Sequence, residues 1–288
     1  MTTLRKLLPS IHIHPVLLVF IIISFLTGTF VELMTILSIV VVHEFGHFIM
    51  ASIFRWRIRG IILWIFGGVM DTDEHGTRPL HEEVLVTIAG PMQHVWIYII
   101  LFLLSGNQFV PAGMIDIAFF YNTVILLFNL LPIWPLDGGK LVFLIMSAFF
   151  PYRQAYYSII LFSLCLNVLL IVLLLSAVPF TLSAFLLFSF LTMDNRKNWK
   201  ERSYVFMRFL LRRYQGDINV THTGFIEVSC YGLLMDVFHK FYRDKQHTIH
   251  VIFPGGIRQS INEMDCLHNY FYKRQYDKPM GEIMRHIS

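Results

Sequence analysis

Charge is scarce in this chain. Only 15% of its 288 residues are Asp, Glu, Lys or Arg, against about 25% in soluble domains. That excludes an ordinary soluble domain, a disordered chain and a coiled coil. Three cysteines are too few for a disulfide-stapled secreted domain, and Cys165, Cys230 and Cys266 lack the C-x-x-C spacing of a redox or metal motif. The formal net charge is only +4, and the basic residues sit at the ends of apolar runs, not in one patch. Direct nucleic-acid binding is therefore not indicated. What the chain has instead is apolar residues, 56% of the total, in runs too long for a soluble core. It reads as a polytopic α-helical membrane protein.

A helix needs roughly 20 apolar residues to cross the hydrocarbon. The runs predict spans over 13–28, 31–54, 83–105, 114–133, 156–177 and 180–193, the last of them short. The apolar stretch 60–70 is too short to cross, carries Gly67-Gly68, and reads as a re-entrant β-hairpin shielded from lipid by protein or water. The stretch 137–150 is short too and reads as a half-helix. Arg5 and Lys6, then Arg55, Arg57 and Arg59, then Lys140 and Arg153, then Arg196, Lys197, Lys200 and Arg202 mark alternate connections. By the positive-inside rule this gives six crossings with both termini cytosolic. Span one lacks a small-residue cleavage site and reads as a retained anchor.

Beyond Thr192 the charge density rises. The sequence divides into a membrane domain over 1–194, a basic linker over 195–220 and a small α/β domain over 221–288. In the last, 232–243 has helical periodicity, His250–Phe253 reads as a strand closed by Pro254-Gly255-Gly256, and 262–274 reads as a helix with Asn262 as N-cap.

Span two contains His43-Glu44-Phe45-Gly46-His47. Histidines at i and i+4 share a helix face, so both imidazoles can reach one metal ion. The adjacent Glu44 can hold and deprotonate a water at that ion, as in zinc hydrolases. Burying these groups in a membrane is costly, so the cluster calls for a function. Its plain reading is a set of inter-helix hydrogen bonds with Glu44 in a polar cavity. A catalytic zinc takes three protein ligands and keeps a position open. The third candidate is Asp137, in Asn129-Leu-Leu-Pro132-Ile-Trp-Pro135-Leu-Asp137-Gly-Gly. There the prolines break span four and a carboxylate could turn to a metal or merely cap the next segment.

HEFGH in one span and NLLPIWPLDGG in a later one resemble the site-2 protease family of intramembrane zinc metalloproteases (peptidase M50 type), and most of all its sporulation members. The likeness runs along the whole chain, through IHIHP, FGG, EHG, RPL and AGPMQH. It implies one zinc ion per chain held by His43, His47 and Asp137, with Glu44 as catalytic base and acid. It implies that Asn129 and the loop from Pro132 to Pro135 seat an extended substrate. It further implies the substrate, the membrane-associated pro-sequence of a sigma-factor precursor (pro-sigma-K) cut during sporulation. It places the protein in the outer forespore membrane facing the mother cell, with inhibitory membrane partner proteins, and it leaves homo-oligomer formation open.

The reaction class suits the elements. A helical substrate must unwind before its carbonyls can be attacked, and the edge of the 60–70 hairpin, with Phe66 and Gly67, could pair with it by β-augmentation. Phe66 could equally be core packing. Gln93 and His94, after a Gly90-Pro91 break, could hydrogen-bond near the metal, steady the oxyanion or simply join two helices. His75 and His81, among Asp71, Asp73, Glu74, Glu82 and Glu83, read as a solvated loop more readily than as a second metal site. Residues 221–287 resemble a single CBS module (cystathionine-β-synthase type), which would make ATP a ligand, although no phosphate-binding glycine loop is present. Two other classes fit the same site: a metal transporter or sensor, and a non-catalytic membrane scaffold.

Overall fold

The computed structural model describes residues 10–13, 15–64, 67–72, 76, 78–106, 110–177, 181–216 and 222–285. The chain divides into two compact units, one of residues 1–75 and 81–141, the other of 76–80 and 142–288.

In the first unit a short strand β1 (Ser10–Ile13) leads into α1 (Pro15–Thr27), α2 (Phe30–Ile53), β2 (Ile58–Trp64), β3 (Gly67–Thr72), α3 (Leu80–Leu104) and α4 (Ala112–Asn129). The helix α5 (Asp137–Phe149) begins in this unit and ends in the other. The second unit continues with α6 (Tyr152–Ala177) and α7 (Leu182–Tyr214). It ends in β4 (His222–Ser229), α8 (Leu234–Phe238), β5 (Lys245–Ile252), β6 (Arg258–Asn262), α9 (Glu263–Phe271) and α10 (Met280–Arg285).

Four described helices, α2, α3, α4 and α6, are long and apolar enough to cross a membrane. Their outward side chains are large and apolar: Phe102 and Leu103 are each 72% exposed, and Leu127 is 62% exposed. Water-soluble monomers seldom leave contiguous apolar surface of that kind uncovered. The polar groups are inside instead, with His43, Glu44, His47, His94, Asn122 and Asp137 all buried. This inverted arrangement is what a lipid solvent imposes.

The other two expected spans, 13–28 and 180–193, are not among these four. The run expected to cross over 13–28 begins as strand β1, and its helix has only 13 residues. The run over 180–193 is the apolar start of a 33-residue helix, α7, which carries on through Asp194 to Tyr214. Most of the stretch read as a basic linker is therefore helical, because its Arg and Lys residues are good helix formers. Pro91 does not interrupt α3, which runs continuously across it. The apolar stretch around 60–70 does form an antiparallel hairpin, β2 with β3, in which Trp64 faces Gly67. Strand β1 adds to it in parallel, Ser10 opposite Gly60, so the sheet order is β1-β2-β3. The half-helix over 137–150 is α5.

The C-terminal sheet has the order β4-β5-β6, parallel then antiparallel. Helix α8 covers only five residues of the expected 232–243; the chain turns at 239–244 and then runs as a strand through Ile252. Asn262 stands at the N-cap position of α9 with no side-chain cap bond. The expected turn at Gly255 and Gly256 requires glycine, since both have positive φ, 89° and 79°. Leu234, Phe238, Phe241, Ile249, Val251, Leu267, Met280 and Ile283 fill the core, each wholly buried.

One buried polar centre ties α7 to this core. The Arg213 guanidinium grips both carboxylate oxygens of Glu263 and the carbonyls of Tyr242, Arg243 and Lys245. Glu263 also accepts from the His247 backbone N–H at 2.8 Å and meets its ring Nδ1 at 3.0 Å. Burial alone would raise the Glu263 carboxyl. The His247 hydrogen bond and the Arg213 charge outweigh burial and hold the carboxyl below its ordinary value. A carboxylate with a depressed folded pKa adds stability that is complete above the unfolded value, about 4.3, and is lost as pH falls through the folded value. Removing one partner of a buried pair costs about 3–5 kcal/mol. Arg213→Ala is therefore expected to release α9 and β5, read as faster amide exchange there at pH 7. In Glu263→Gln, the acid-dependent part of the loss should disappear.

Candidate metal centre

The site is built from α2 and the first residue of α5. His43 and His47 lie one turn apart on α2, and their Nε2 atoms face each other at 3.2 Å. Asp137, the first residue of α5, points its Oδ2 at both, 3.0 Å from His43 Nε2 and 3.2 Å from His47 Nε2. The Pro132–Pro135 loop frees α5 to start here, and its two glycines let it pack. A Cβ on Gly138 would strike the carbonyls of Leu130 and Leu131, and one on Gly139 the backbone of Ile133 and Trp134. Glu44 is buried beside the histidines, and one ligand atom from each of His43, Glu44 and His47 lies within 4.8 Å of the others.

The donor chemistry asks for a cation. His47 Nδ1 sits 2.7 Å from the Val86 carbonyl, which can only accept, so Nδ1 carries a proton, and in the neutral ring the lone pair is the one at Nε2. That lone pair confronts the Asp137 carboxylate and His43 Nε2. Three acceptors at such distances repel unless positive charge, a metal ion or a proton, lies between them. The spacing suits zinc: metal–ligand bonds of about 2.0 Å in a tetrahedron set donors about 3.3 Å apart. Among the described residues, this is the one cluster of His, Cys, Asp or Glu whose donor atoms converge in this way.

The second Asp137 oxygen, Oδ1, is met by Lys140 Nζ at 3.4 Å. Lys140 enters the sequence reading only as a topogenic charge, yet it lies one helical turn from Asp137 and fixes which oxygen turns inward. Asn122 is likewise missing from the sequence reading, although it is wholly buried and bonded to His94. A polar Asn in the middle of an apolar span was the available signal.

The remaining candidates separate. His94 reaches the site through His43. Gln93 donates to the Ala89 carbonyl of its own helix, and Asn129 to the Ile125 carbonyl of its own. Pro132 and Pro135 lie in the half-buried loop before Asp137. Gly67 opens β3, while Phe66 lies outside the described residues, as do His75, Asp73 and Glu74. Glu82 accepts from the Trp56 indole N–H. The neighbouring Gly68 lets β3 lie against Glu44: a Cβ there would come within 2.8 Å of the Glu44 Cδ and closer still to its Cγ.

Comparison with known proteins converges on this centre. The model of peptidase family M50 matches residues 31–114 and 106–175, which include both histidines and Asp137. The chain is 37% identical over 279 residues to stage IV sporulation protein FB of Bacillus subtilis, covering 96% of this chain and 97% of that protein. It is 32% identical over 121 residues to zinc metalloprotease MJ0392 of Methanocaldococcus jannaschii, covering 40% of this chain and 34% of that protein. The solved site-2 protease from Methanocaldococcus jannaschii shares the fold with a TM-score of 0.53, at 24% identity, over 66% of this chain and 90% of its own. The chain belongs to peptidase family M50, the intramembrane metalloproteases of the site-2 class.

Proposed function

We propose that the chain is an intramembrane zinc endopeptidase that cuts the membrane-associated pro-sequence of a sigma-factor precursor, pro-sigma-K, during sporulation. The observation that carries the enzymatic part is the convergence of His43, His47 and Asp137 with Glu44 beside them. The substrate rests on the full-length similarity to stage IV sporulation protein FB.

His43, His47 and Asp137 would hold the ion. Zinc, when bound, polarises the scissile carbonyl and makes a water acidic enough to attack it at neutral pH. Glu44 takes the proton from that water and passes it to the leaving amine. Its buried setting keeps bulk water from competing for the proton. β3 is the outer strand of its sheet among the described residues and lies against Glu44. An unwound substrate adds to that edge by backbone pairing, met by Gly67 and its sequence neighbour Phe66, with Asn129, Pro132 and Pro135 seating the other side. The hairpin enters the membrane from the cytosolic face, and the protein crosses six times with cytosolic termini in the outer forespore membrane. Inhibitory membrane proteins hold it inactive until a signal arrives. Residues 221–288, reached through 195–220, act as a CBS-like regulatory module. ATP is tied to that module by the CBS likeness alone and forms no part of the mechanism.

The test is co-expression with the sigma precursor in a host that lacks such a protease. The expected result is a shortened sigma factor with a new N-terminus, read by mass spectrometry, that disappears with His43→Ala. An intact precursor beside zinc-loaded, membrane-inserted protein would overturn the substrate assignment and leave the metal centre standing.

A further inference from the structure

We infer that Asn122 and His94 are positioning residues that fix the tautomer of His43, and so set the affinity of the site for its metal. The inference rests on the zinc reading above.

The assignment of protons follows from one carbonyl. Asn122 Nδ2 donates to the His94 backbone carbonyl at 3.2 Å, and a carbonyl cannot donate. The Asn122 amide is thereby oriented, and its Oδ1 faces His94 Nδ1 at 2.7 Å. That oxygen accepts, so His94 Nδ1 carries a proton. In the neutral His94 ring, Nε2 is then the acceptor. It lies 3.0 Å from His43 Nδ1, which must donate. The lone pair of His43 is left on Nε2, facing Asp137 Oδ2 and His47 Nε2. Each proton in the chain is fixed by the one before it, starting from a backbone group that cannot change role.

The relay is sealed. Asn122 and His94 are wholly buried, and His43 nearly so, so bulk water does not compete for these bonds. His47 reaches the same end by a different route, through the Val86 carbonyl. The two histidine ligands thus have separate proton acceptors: a backbone group for one, and two side chains from α3 and α4 for the other. Only the second can be altered by substitution. Groups that orient metal-ligating histidines in this way typically matter by about 10- to 100-fold in metal affinity.

His94→Leu leaves the His43 Nδ1–H without a partner and the tautomer unset. His94→Gln restores both bonds in principle, since its amide oxygen accepts from His43 while its NH2 donates to Asn122. Zinc affinity of the purified full chain is read by competition with a chromophoric chelator, alongside thermal unfolding of the zinc-free protein. The expected result is zinc bound about 10- to 100-fold more weakly in His94→Leu, with most of the loss recovered in His94→Gln. Asn122→Leu, which keeps His94 in place, should weaken zinc in the same sense, and serves where His94→Leu does not accumulate. A purely structural role predicts lower unfolding temperatures with unchanged zinc affinity. That outcome, or equal loss in the Gln and Leu variants, overturns the relay. Wild-type protein that binds no zinc would instead overturn the metal reading itself.

Discussion

Glu44→Gln is expected to leave one zinc ion per chain in place and to lower cleavage of the proposed substrate, the sigma precursor, by about 10²–10⁴-fold, the usual worth of a positioned general base. The substitution removes one thing. Gln has nearly the shape of Glu and fills the same buried space against Gly68, but it cannot take a proton. The three donors that converge most tightly are His43 Nε2, His47 Nε2 and Asp137 Oδ2, at 3.0–3.2 Å from one another. Glu44 stands beside this triangle rather than in it, so the metal should survive its loss of charge. Zinc per chain measured on purified protein, with the substrate N-terminus from the same preparation, separates the outcomes. Full cleavage by the Gln variant would remove Glu44 from the chemistry. Loss of zinc together with cleavage would make Glu44 a ligand.

That prediction could be framed from sequence, because its residues are local. His43 and His47 lie one helical turn apart, with Glu44 next to the first, and a 3.6-residue period suffices to place the two histidines on one face. Asp137 required a second motif 90 residues away, and its approach to the histidines depends on a loop whose path no short-range rule specifies. Asn122 and Lys140 were less legible still. Each looks ordinary in its own segment, a polar residue in an apolar helix and a basic residue after a proline loop. Only the packing of α4 against α2 and α3, and the start of α5 at Asp137, give them partners. The fold shows the same division. The long apolar helices follow from hydropathy alone, whereas β1 exists because four residues find Gly60 to Leu63 across the chain. The shortening of α8 likewise answers to the sheet, since β5 needs the residues up to Ile252 for pairing with β4 and β6.

Gly90→Ala should weaken zinc binding without unfolding the protein. Gly90 lies in α3 opposite the histidines. A Cβ there would come within 2.8 Å of His43 Nε2, and closer still to His47 Nε2 and Cε1, where no methyl group fits. Both rings would have to swing away from Asp137. His47 would then leave the Val86 carbonyl at 2.7 Å, and His43 would leave His94 at 3.0 Å. Forcing a methyl into a packed site costs about 1–3 kcal/mol, which is roughly 5- to 150-fold if taken from metal affinity. Against that, alanine favours the helix itself by about 1 kcal/mol over glycine, so α3 should persist. Gly113→Ala supplies the control, because a Cβ at Gly113 on α4 meets nothing within 4 Å; there zinc and cleavage should match wild type. Zinc content and cleavage would be measured on both variants. Normal zinc binding in Gly90→Ala would mean that α2 and α3 stand further apart around the ligands than they do here, and the crowding that makes glycine obligatory at this turn would be disproved.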